Sequence, residues 1–176
     1  TDKFMALFFA VTSMGLEDAL AKELNEYGAK RVRIAGTGVA FDGNWEDVYK
    51  LNLRLRTASR IIKPILDFPA YQLEDIYHNV FNHNFVQYFS VDKTFKIEAS
   101  VKESKIRDQR MLAMKVKDAI VDQFREEVGS RPSVENGSPD VRIYVKLYKN
   151  KVSIAIDTTG ESLFQRGYRM DAGPAP

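Results

Sequence analysis

The chain has 176 residues, no cysteine, and 26 basic against 24 acidic residues, which gives a net charge of +2. The length accommodates one domain or two small ones. The lack of cysteine excludes disulfides, thiolate zinc sites, iron–sulfur clusters and cysteine nucleophiles, and it fits a cytoplasmic location. Since no apolar run approaches the ~20 residues that span a bilayer, we expect no membrane partner. The chain starts without methionine and ends on the linker-like residues 173–176, so we expect a piece of a longer protein.

The first seventy residues predict six elements. Residues 4–11 are an apolar run too short for a helix, and we interpret them as a strand, with Thr12 and Ser13 as caps for a helix over 16–27. Strands at 31–34 and 39–41 follow, joined by a turn at 36–38. Asn44 is expected to cap a second helix over 45–58, and a strand at 61–68 contains Pro64, which predicts an edge or a bulge. This β-α-β-β-α-β order is typical of the ferredoxin-like arrangement.

The remaining residues predict helices packed on a sheet. Short amphipathic helices are expected at 73–81 and 85–89, a strand at 95–101, and a long helix at 109–128 that Gly129 ends. After a loop at 130–140, residues 141–148 and 152–156 alternate as in a hairpin, and 163–169 predict a last strand. The predicted fold class is therefore α+β, with a ferredoxin-like domain at 1–70, an α/β domain at 71–170 and the start of a linker at 171–176.

The small net charge hides an uneven distribution along the chain. Residues 93–117 contain eight basic and three acidic side chains, 118–140 contain two and six, and 141–169 contain six and two. Two positive segments, of +5 and +4, therefore flank a segment of −4. If the positive segments meet in space, they form a surface that phosphates favour. The alternative is that they are ordinary solvated helix and strand faces.

Catalytic and metal-binding constellations are absent from the sequence. Neither dinucleotide-binding nor phosphate-loop glycine patterns occur, and the turn at 36–38 leads into a strand rather than a helix. His78 and His83 are five residues apart, so on one helix they would point about 140° apart, and we expect no metal site. Serines lie in caps and loops with no nucleophile–base pair among them.

The positive signal is a candidate binding surface. Basic residues bracket the loop before the long helix, whose first N–H groups are expected to favour phosphate. On the hairpin, Tyr144 and Tyr148 share a face with basic side chains, where they could stack on bases or form cross-strand pairs. Two arginines flank Tyr168 near the end of the chain. The candidate nucleic-acid-binding residues are Lys102, Lys105, Arg107, Arg110, Lys117, Arg142, Lys146, Arg166, Tyr168 and Arg169.

Three stretches together resemble a known family. They are TSMGLEDAL at 12–20, MKVKDAIVD at 114–122, and the segment from 157 that includes DTTGESL, RGYR and AGPAP. The chain resembles, over essentially its whole length, the N-terminal region of bacterial 23S ribosomal RNA guanine-N2 methyltransferases. The long-helix and RGYR stretches are the most specific parts. In that family a ferredoxin-like domain precedes a THUMP domain and then a catalytic domain that uses S-adenosylmethionine.

The resemblance implies an RNA-binding module that presents its substrate to its own C-terminal methyltransferase domain. The implied partner is a 23S ribosomal RNA stem-loop rather than DNA. The family's glycine-rich cofactor loop and its Asn/Asp-Pro-Pro-aromatic tetrapeptide are absent, so we expect this chain neither to methylate nor to bind S-adenosylmethionine, which the missing catalytic domain would use. Two alternatives stay open. One is the RNA-binding region of a THUMP-containing tRNA modification enzyme, and the other is a ferredoxin-like regulatory or protein-interaction module.

Overall fold

The computed structural model describes residues 5–159, which form two compact units. The first comprises residues 5–64 and 157–159, and the second is Ile65–Ile156. The last strand predicted at 163–169 lies outside the described residues. None of the helices within 5–159 combines the length and the hydrophobicity that crossing a membrane requires.

The first unit is an antiparallel sheet with two helices. Its elements are β1 (Ala6–Val11), α1 (Glu17–Glu26), β2 (Lys30–Ala35), β3 (Gly38–Gly43), α2 (Trp45–Arg54) and the start of β4 (Arg60–Pro69). The strand order is β2-β3-β1-β4, which confirms the predicted β-α-β-β-α-β arrangement. Phe8 of β1 and Phe41 of β3 are fully buried and belong to one core with Leu20 and Leu24 of α1 and Val48 of α2.

Two predicted helix ends in this unit are wrong. The Thr12 hydroxyl donates to the Thr57 carbonyl at 2.5 Å instead of capping α1, whose N-cap residue is Leu16 and which has no side-chain cap. The second helix stops at Arg54 rather than at residue 58, because Leu55 is extended. The predicted Asn44 cap is confirmed, and a reciprocal bond between the Asp47 carboxylate and the Asn44 N–H completes a capping box.

Two positions in the sheet depend on their residue type. The ladder between β4 and β1 covers Arg60 to Ile62 and ends before Pro64, which has no N–H to donate. At the start of β3, a Cβ on Gly38 would collide with the Ala10 carbonyl and the Phe9 ring. Glycine at position 38 therefore allows the close approach of β3 to β1.

The second unit packs helices on a mixed sheet. Its elements are the end of β4, α3 (Leu73–Phe81), a 3-10 helix (Phe85–Gln87), β5 (Phe95–Lys102), α4 (Gln109–Val128), β6 (Val141–Tyr148) and β7 (Lys151–Asp157), whose last residue belongs to the first unit. Strands β5 and β6 are parallel, and β6 and β7 form an antiparallel hairpin. Gly129 adopts a left-handed conformation (φ 80°) and ends α4, as the sequence predicts.

The two faces of this sheet differ in character. On one face Ile143, Val145 and Leu147 are almost completely buried, and ring contacts of Phe89 with Phe95 and with Phe124 connect the sheet to α4. The alternate positions project to the opposite face. Apart from the buried Ala155, those side chains are charged, polar or aromatic, namely Lys96, Glu98, Ser100, Lys102, Arg142, Tyr144, Lys146, Tyr148, Lys151 and Ser153.

A buried glutamine joins α4 to the segment that follows α3. Gln123 is 3% exposed. Its amide group donates to the carbonyls of Phe81 and His83, and its oxygen accepts the Phe85 N–H at 2.8 Å. The bond to Phe81 satisfies a carbonyl of the last turn of α3, and the other two hold the segment that follows the helix. No sequence pattern indicates this role of Gln123.

Candidate nucleic-acid interface

The turn between β6 and β7 fixes one corner of the second unit. Lys149 and Asn150 both adopt left-handed conformations, with φ of 49° and 61°, which are the angles a two-residue hairpin turn needs. The Asn150 carbonyl accepts the Ala70 N–H at 2.8 Å. Its side-chain oxygen accepts the Lys105 N–H at 3.0 Å and the Ser104 hydroxyl at 3.1 Å. One asparagine therefore holds the end of β4, the loop after β5 and the hairpin together.

Five cations converge at this corner. Lys102, Lys105 and Arg107 line an open hollow together with Asn150. Lys102 is the register partner of Tyr148, and its carbonyl accepts the Lys149 N–H at 3.3 Å. We define the basic corner as Lys102, Lys105, Arg107, Lys146 and Lys149 with Tyr71 and Tyr148.

The two tyrosines of the basic corner lie beside its lysines. The ammonium groups of Lys149 and Lys146 are 5.2 and 5.7 Å from the centre of the Tyr148 ring. That of Lys105 is 5.7 Å from the Tyr71 ring. Tyr71 is 53% exposed and Tyr148 is 36% exposed. Each cation–π contact contributes about 0.5–1 kcal/mol at such exposed sites, so the lysines are positioned but accessible.

The charge of the basic corner suits an anionic partner. The residues that line the hollow include one acidic side chain, Glu103, and three cations, Lys102, Lys105 and Arg107. Like charges in one corner repel each other over the ~10 Å Debye length of 0.1 M salt. A polyanion would relieve that repulsion, and exposed tyrosines among cations can stack on unpaired bases. The corner can therefore contact both phosphates and bases.

Other predicted binding residues lie elsewhere in the second unit. Arg142 is ion-paired with Glu98 at 3.1 Å. Lys117 is paired with Asp118 at 2.7 Å on α4, the helix that covers the opposite face of the sheet. These two cations are therefore not brought into the basic corner. Arg166, Tyr168 and Arg169 lie outside the described residues, and their assignment stays a prediction.

The expectation that the start of α4 offers free N–H groups to phosphate is wrong. The Asp108 carboxylate accepts the Arg110 N–H at 2.9 Å and the Met111 N–H at 3.2 Å. It thereby occupies the groups that an anion would use and places a negative charge at the helix N-terminus. Any contribution of Arg110 to binding must come from its side chain.

The two histidines have packing roles. His83 lies 2.7 Å from the Tyr88 hydroxyl, stacks on that ring, and has its pKa lowered by burial. His78 is exposed and makes an edge contact with Tyr77. Within residues 5–159, no three acidic or histidine side chains are grouped so that they could hold a metal ion.

The glycine turn at 36–38 does not fit a cofactor loop for S-adenosylmethionine. The turn that contains Gly36 and Gly38 joins two antiparallel strands, and the space beside Gly38 is filled by the Phe9 ring and the Ala10 carbonyl. A cofactor loop instead needs glycines that let a ligand approach the backbone at the start of a helix. The glycine turn at 36–38 is therefore a hairpin turn rather than a cofactor loop.

Sequence reasoning missed three members of this site. Tyr71 belongs to no sequence pattern that indicates binding, because it is an isolated aromatic residue after Pro69 and Ala70, where the first predicted domain ends. For Lys149 and Asn150, the alternation at 141–148 and 152–156 predicts only a place in the hairpin turn and no binding role. The signal that could have identified them is the pair of non-glycine residues in a two-residue hairpin turn, where both must adopt positive φ. An asparagine there can use its side chain to bind neighbouring loops.

Comparisons with known proteins agree with both units. Residues 7–62 match the model of the RlmL ferredoxin-like domain, and residues 70–157 match that of the THUMP domain. Among solved structures, SMU.472, a candidate methyltransferase solved with SAH, is 31% identical with a TM-score of 0.79 over 94% of this chain and 44% of its own. A predicted N6-adenine-specific DNA methylase from Listeria monocytogenes is 26% identical with a TM-score of 0.78, over 98% and 45%.

A more distant structure shows the fold alone. A 4-thiouridine synthetase in a complex with RNA and ATP is 15% identical, with a TM-score of 0.58 over 87% of this chain and 41% of its own. The chain spans less than half the length of each of these three proteins.

Proposed function

Because this chain belongs to the family in which an RlmL ferredoxin-like domain is combined with a THUMP domain, we propose that it is the RNA-binding, substrate-presenting module of a ribosomal RNA (guanine-N2) methyltransferase. Its domains are proposed at 1–70 and 71–170, with a catalytic domain after 171–176. The methyl group would come from S-adenosylmethionine bound by that domain. The match to the RlmL domain favours the ribosomal substrate, and the SAH complex of SMU.472 supports the cofactor.

The observation that carries the proposal is the basic corner. Lys102, Lys105 and Arg107 border one hollow, and Asn150 fixes the backbone of Lys105. Held in this way, the cations lose less freedom on binding than they would on a mobile loop. They would contact phosphates of an RNA stem, while Tyr71 and Tyr148 stack on unpaired nucleotides beside it. The module would position its RNA and leave the methyl transfer to the catalytic domain.

Salt-dependent binding tests this function. Fluorescence anisotropy with a labelled 23S ribosomal RNA stem-loop should show log affinity falling with log salt at a slope of about −3 to −5, as expected for ~4–6 phosphate contacts. The variant K102Q/K105Q/R107Q should lose about 2–3 units of that slope and keep the wild-type circular dichroism spectrum.

A matched control removes three other charges of the second unit. Lys93, Lys96 and Arg125 are ion-paired with Asp92, Glu98 and Asp122. We expect K93Q/K96Q/R125Q to bind RNA nearly as the wild type does. A salt-independent affinity, or equal losses in both triple variants, would contradict the proposal. A DNA hairpin of the same sequence, bound as tightly as the RNA, would contradict the assignment of RNA as the partner.

A further inference from the structure

The hollow of the basic corner contains a carboxylate that phosphate binding does not explain. Glu103 lines the hollow together with Lys102, Lys105 and Arg107. It is exposed, and within residues 5–159 its carboxylate makes no ion pair or hydrogen bond, although three cations line the same hollow. Because a carboxylate repels phosphate, a surface that contacted only the RNA backbone would bind it more tightly without Glu103. The carboxylate therefore suits a different group of the ligand.

The backbone on both sides of Glu103 is fixed. The Lys102 carbonyl accepts the Lys149 N–H at 3.3 Å, and the Ser104 hydroxyl donates to the side-chain oxygen of Asn150 at 3.1 Å. Glu103 itself has a φ of 51°, a left-handed conformation that glycine adopts without strain and glutamate does not. Residues held in such conformations are common at ligand-binding sites. The carboxylate is thus presented from a fixed position in the hollow.

Hydrogen-bond donors on the bases are the groups of RNA that suit this carboxylate. A carboxylate only accepts hydrogen bonds, and phosphate oxygens only accept them too. The bases of unpaired nucleotides offer their Watson–Crick edges to proteins. Guanine presents two adjacent donors on that edge, N1–H and the N2 amino group, which match the two oxygens of a carboxylate. In adenine, cytosine and uracil each donor on the edge lies next to an acceptor, which repels the second oxygen.

The tyrosines of the basic corner supply the stacking surface that such a contact needs. Tyr148 is the register partner of Lys102, the residue directly before Glu103. Tyr148 and Tyr71 are 36% and 53% exposed, so either ring can take a base on its face. Stacking leaves the edge of a base free for hydrogen bonds. A guanine stacked in this corner can therefore present its donors to Glu103.

We propose that Glu103 is a specificity-determining residue of the basic corner, whose carboxylate accepts hydrogen bonds from N1–H and the N2 amino group of an unpaired guanine. The inference rests on the proposed function, because it takes RNA as the partner. The cations of the corner contact phosphates beside that nucleotide, and Glu103 selects the base. A mere counter-ion for Lys102, Lys105 and Arg107 would behave differently, because its removal would change the affinity for every RNA by the same factor.

Three RNAs that differ at one nucleotide test the inference. Each is a labelled stem-loop without guanosine in its loop, followed by a flexible single-stranded tail of uridines with guanosine, inosine or adenosine in the middle. The wild type should bind the guanosine RNA at least about 5-fold more tightly than the adenosine RNA, the low end for a bidentate contact. Inosine keeps N1–H but lacks the amino group, so its affinity should be intermediate. Since the phosphates are the same in all three, these ratios should persist between about 50 and 200 mM salt.

The variant E103Q should bring the affinities for the guanosine and adenosine RNAs close together, because its amide places a donor against the donors of guanine. Differences in stacking between the bases are common to both proteins and cancel when their ratios are compared. The matched control E127Q removes an exposed carboxylate of α4, the helix on the opposite face of the sheet, and should keep the wild-type ratio. Should E103Q lose its circular dichroism spectrum, E103G replaces it, since glycine is free of strain at this φ.

The outcomes separate the two proposals. If the wild type binds all three RNAs equally and with the expected salt slope, and K102Q/K105Q/R107Q is weakened, Glu103 does not select the base and the proposed function stands. The same conclusion follows if E103Q raises the affinity for all three RNAs by one factor and keeps the wild-type ratio. If the wild type binds none of them, both proposals are wrong. Loss of the guanosine preference in E103Q and its retention in E127Q would support the inference.

Discussion

Asn150 offers a test of the basic corner that leaves the charge unchanged. Substitution of Asn150 by glycine keeps the positive φ of 61° free of strain but removes the side-chain bonds to Lys105 and Ser104. Two such hydrogen bonds contribute about 1 kcal/mol each, so N150G should lower the free energy of unfolding by about 2 kcal/mol. N150A should lower the free energy of unfolding by about 1 kcal/mol more than N150G, because alanine is strained in the left-handed conformation.

The expected effect of N150G on RNA binding follows from the position in which Asn150 holds the Lys105 backbone. Once the Lys105 backbone is no longer held by Asn150, binding must also order the loop that carries this lysine, which costs about 0.5–1.5 kcal/mol or roughly 2- to 12-fold in affinity. N150D keeps the acceptor oxygens but adds a negative charge. Its stability should stay near that of the wild type, whereas its RNA affinity should fall most at low salt.

Amide hydrogen exchange together with anisotropy separates these effects. The Lys105 amide should exchange faster in N150G and stay protected in N150D, since the aspartate carboxylate can still accept that N–H. RNA affinity should fall in both variants for different reasons. If the Lys105 amide is unprotected in the wild type, or if N150G binds RNA as tightly as the wild type, the reasoning about this corner is refuted.

Three further predictions concern the fold. Q123L should lower the free energy of unfolding in urea by about 2–3 kcal/mol, because three hydrogen bonds of Gln123 are lost, although the Phe85 N–H keeps its bond to the His83 carbonyl. Y77F should cost about 1 kcal/mol at neutral pH through loss of the 2.6 Å bond to Asp122. That bond, together with burial, raises the pKa of Tyr77 to about 12, so its contribution is present below pH ~10 and is lost as the pH rises towards 12. G38A should cost more than about 2 kcal/mol, since its Cβ would meet the Ala10 carbonyl.

Control variants isolate the causes of the effects expected for Q123L and G38A. Q109A changes an exposed glutamine of the same helix and should shift the unfolding midpoint little. G137A places its Cβ near the end of the Glu135 side chain, which can move, and should cost far less than G38A. Equal effects of Q123L and Q109A on the unfolding midpoint would contradict the contacts assigned to Gln123. The contact assigned to Tyr77 would be contradicted if the free energy of unfolding of Y77F fell between pH 10 and 12 by as much as that of the wild type.

Helices and strands could be predicted wherever the spacing of apolar side chains and the positions of glycines indicated the same boundaries. The long helix α4 and its end at Gly129 were predicted correctly, because its buried side chains recur at helical spacing. The end of α2 was not, because Arg56 and Thr57 give their N–H groups to Glu23, thirty-three and thirty-four residues earlier in the chain. The sequence around the end of α2 does not indicate that a carboxylate so far away in the chain accepts these N–H groups.

The candidate site was predictable in part. The cations Lys102, Lys105 and Arg107 were nominated from the charge run, and the structure brings them to one hollow. The role of Asn150 depends on contacts from two distant segments, and it becomes visible only once the strands are in register.

Ultraviolet crosslinking of the wild-type chain to the labelled stem-loop, with the crosslinked peptides identified by mass spectrometry, tests the RNA interface most directly. The account predicts crosslinks at Tyr71, Tyr148 and the 102–110 loop, which are lost in K102Q/K105Q/R107Q. Crosslinks confined to the acidic 130–140 loop and the exposed side of α4, or none at all at an RNA concentration that saturates binding, would contradict it.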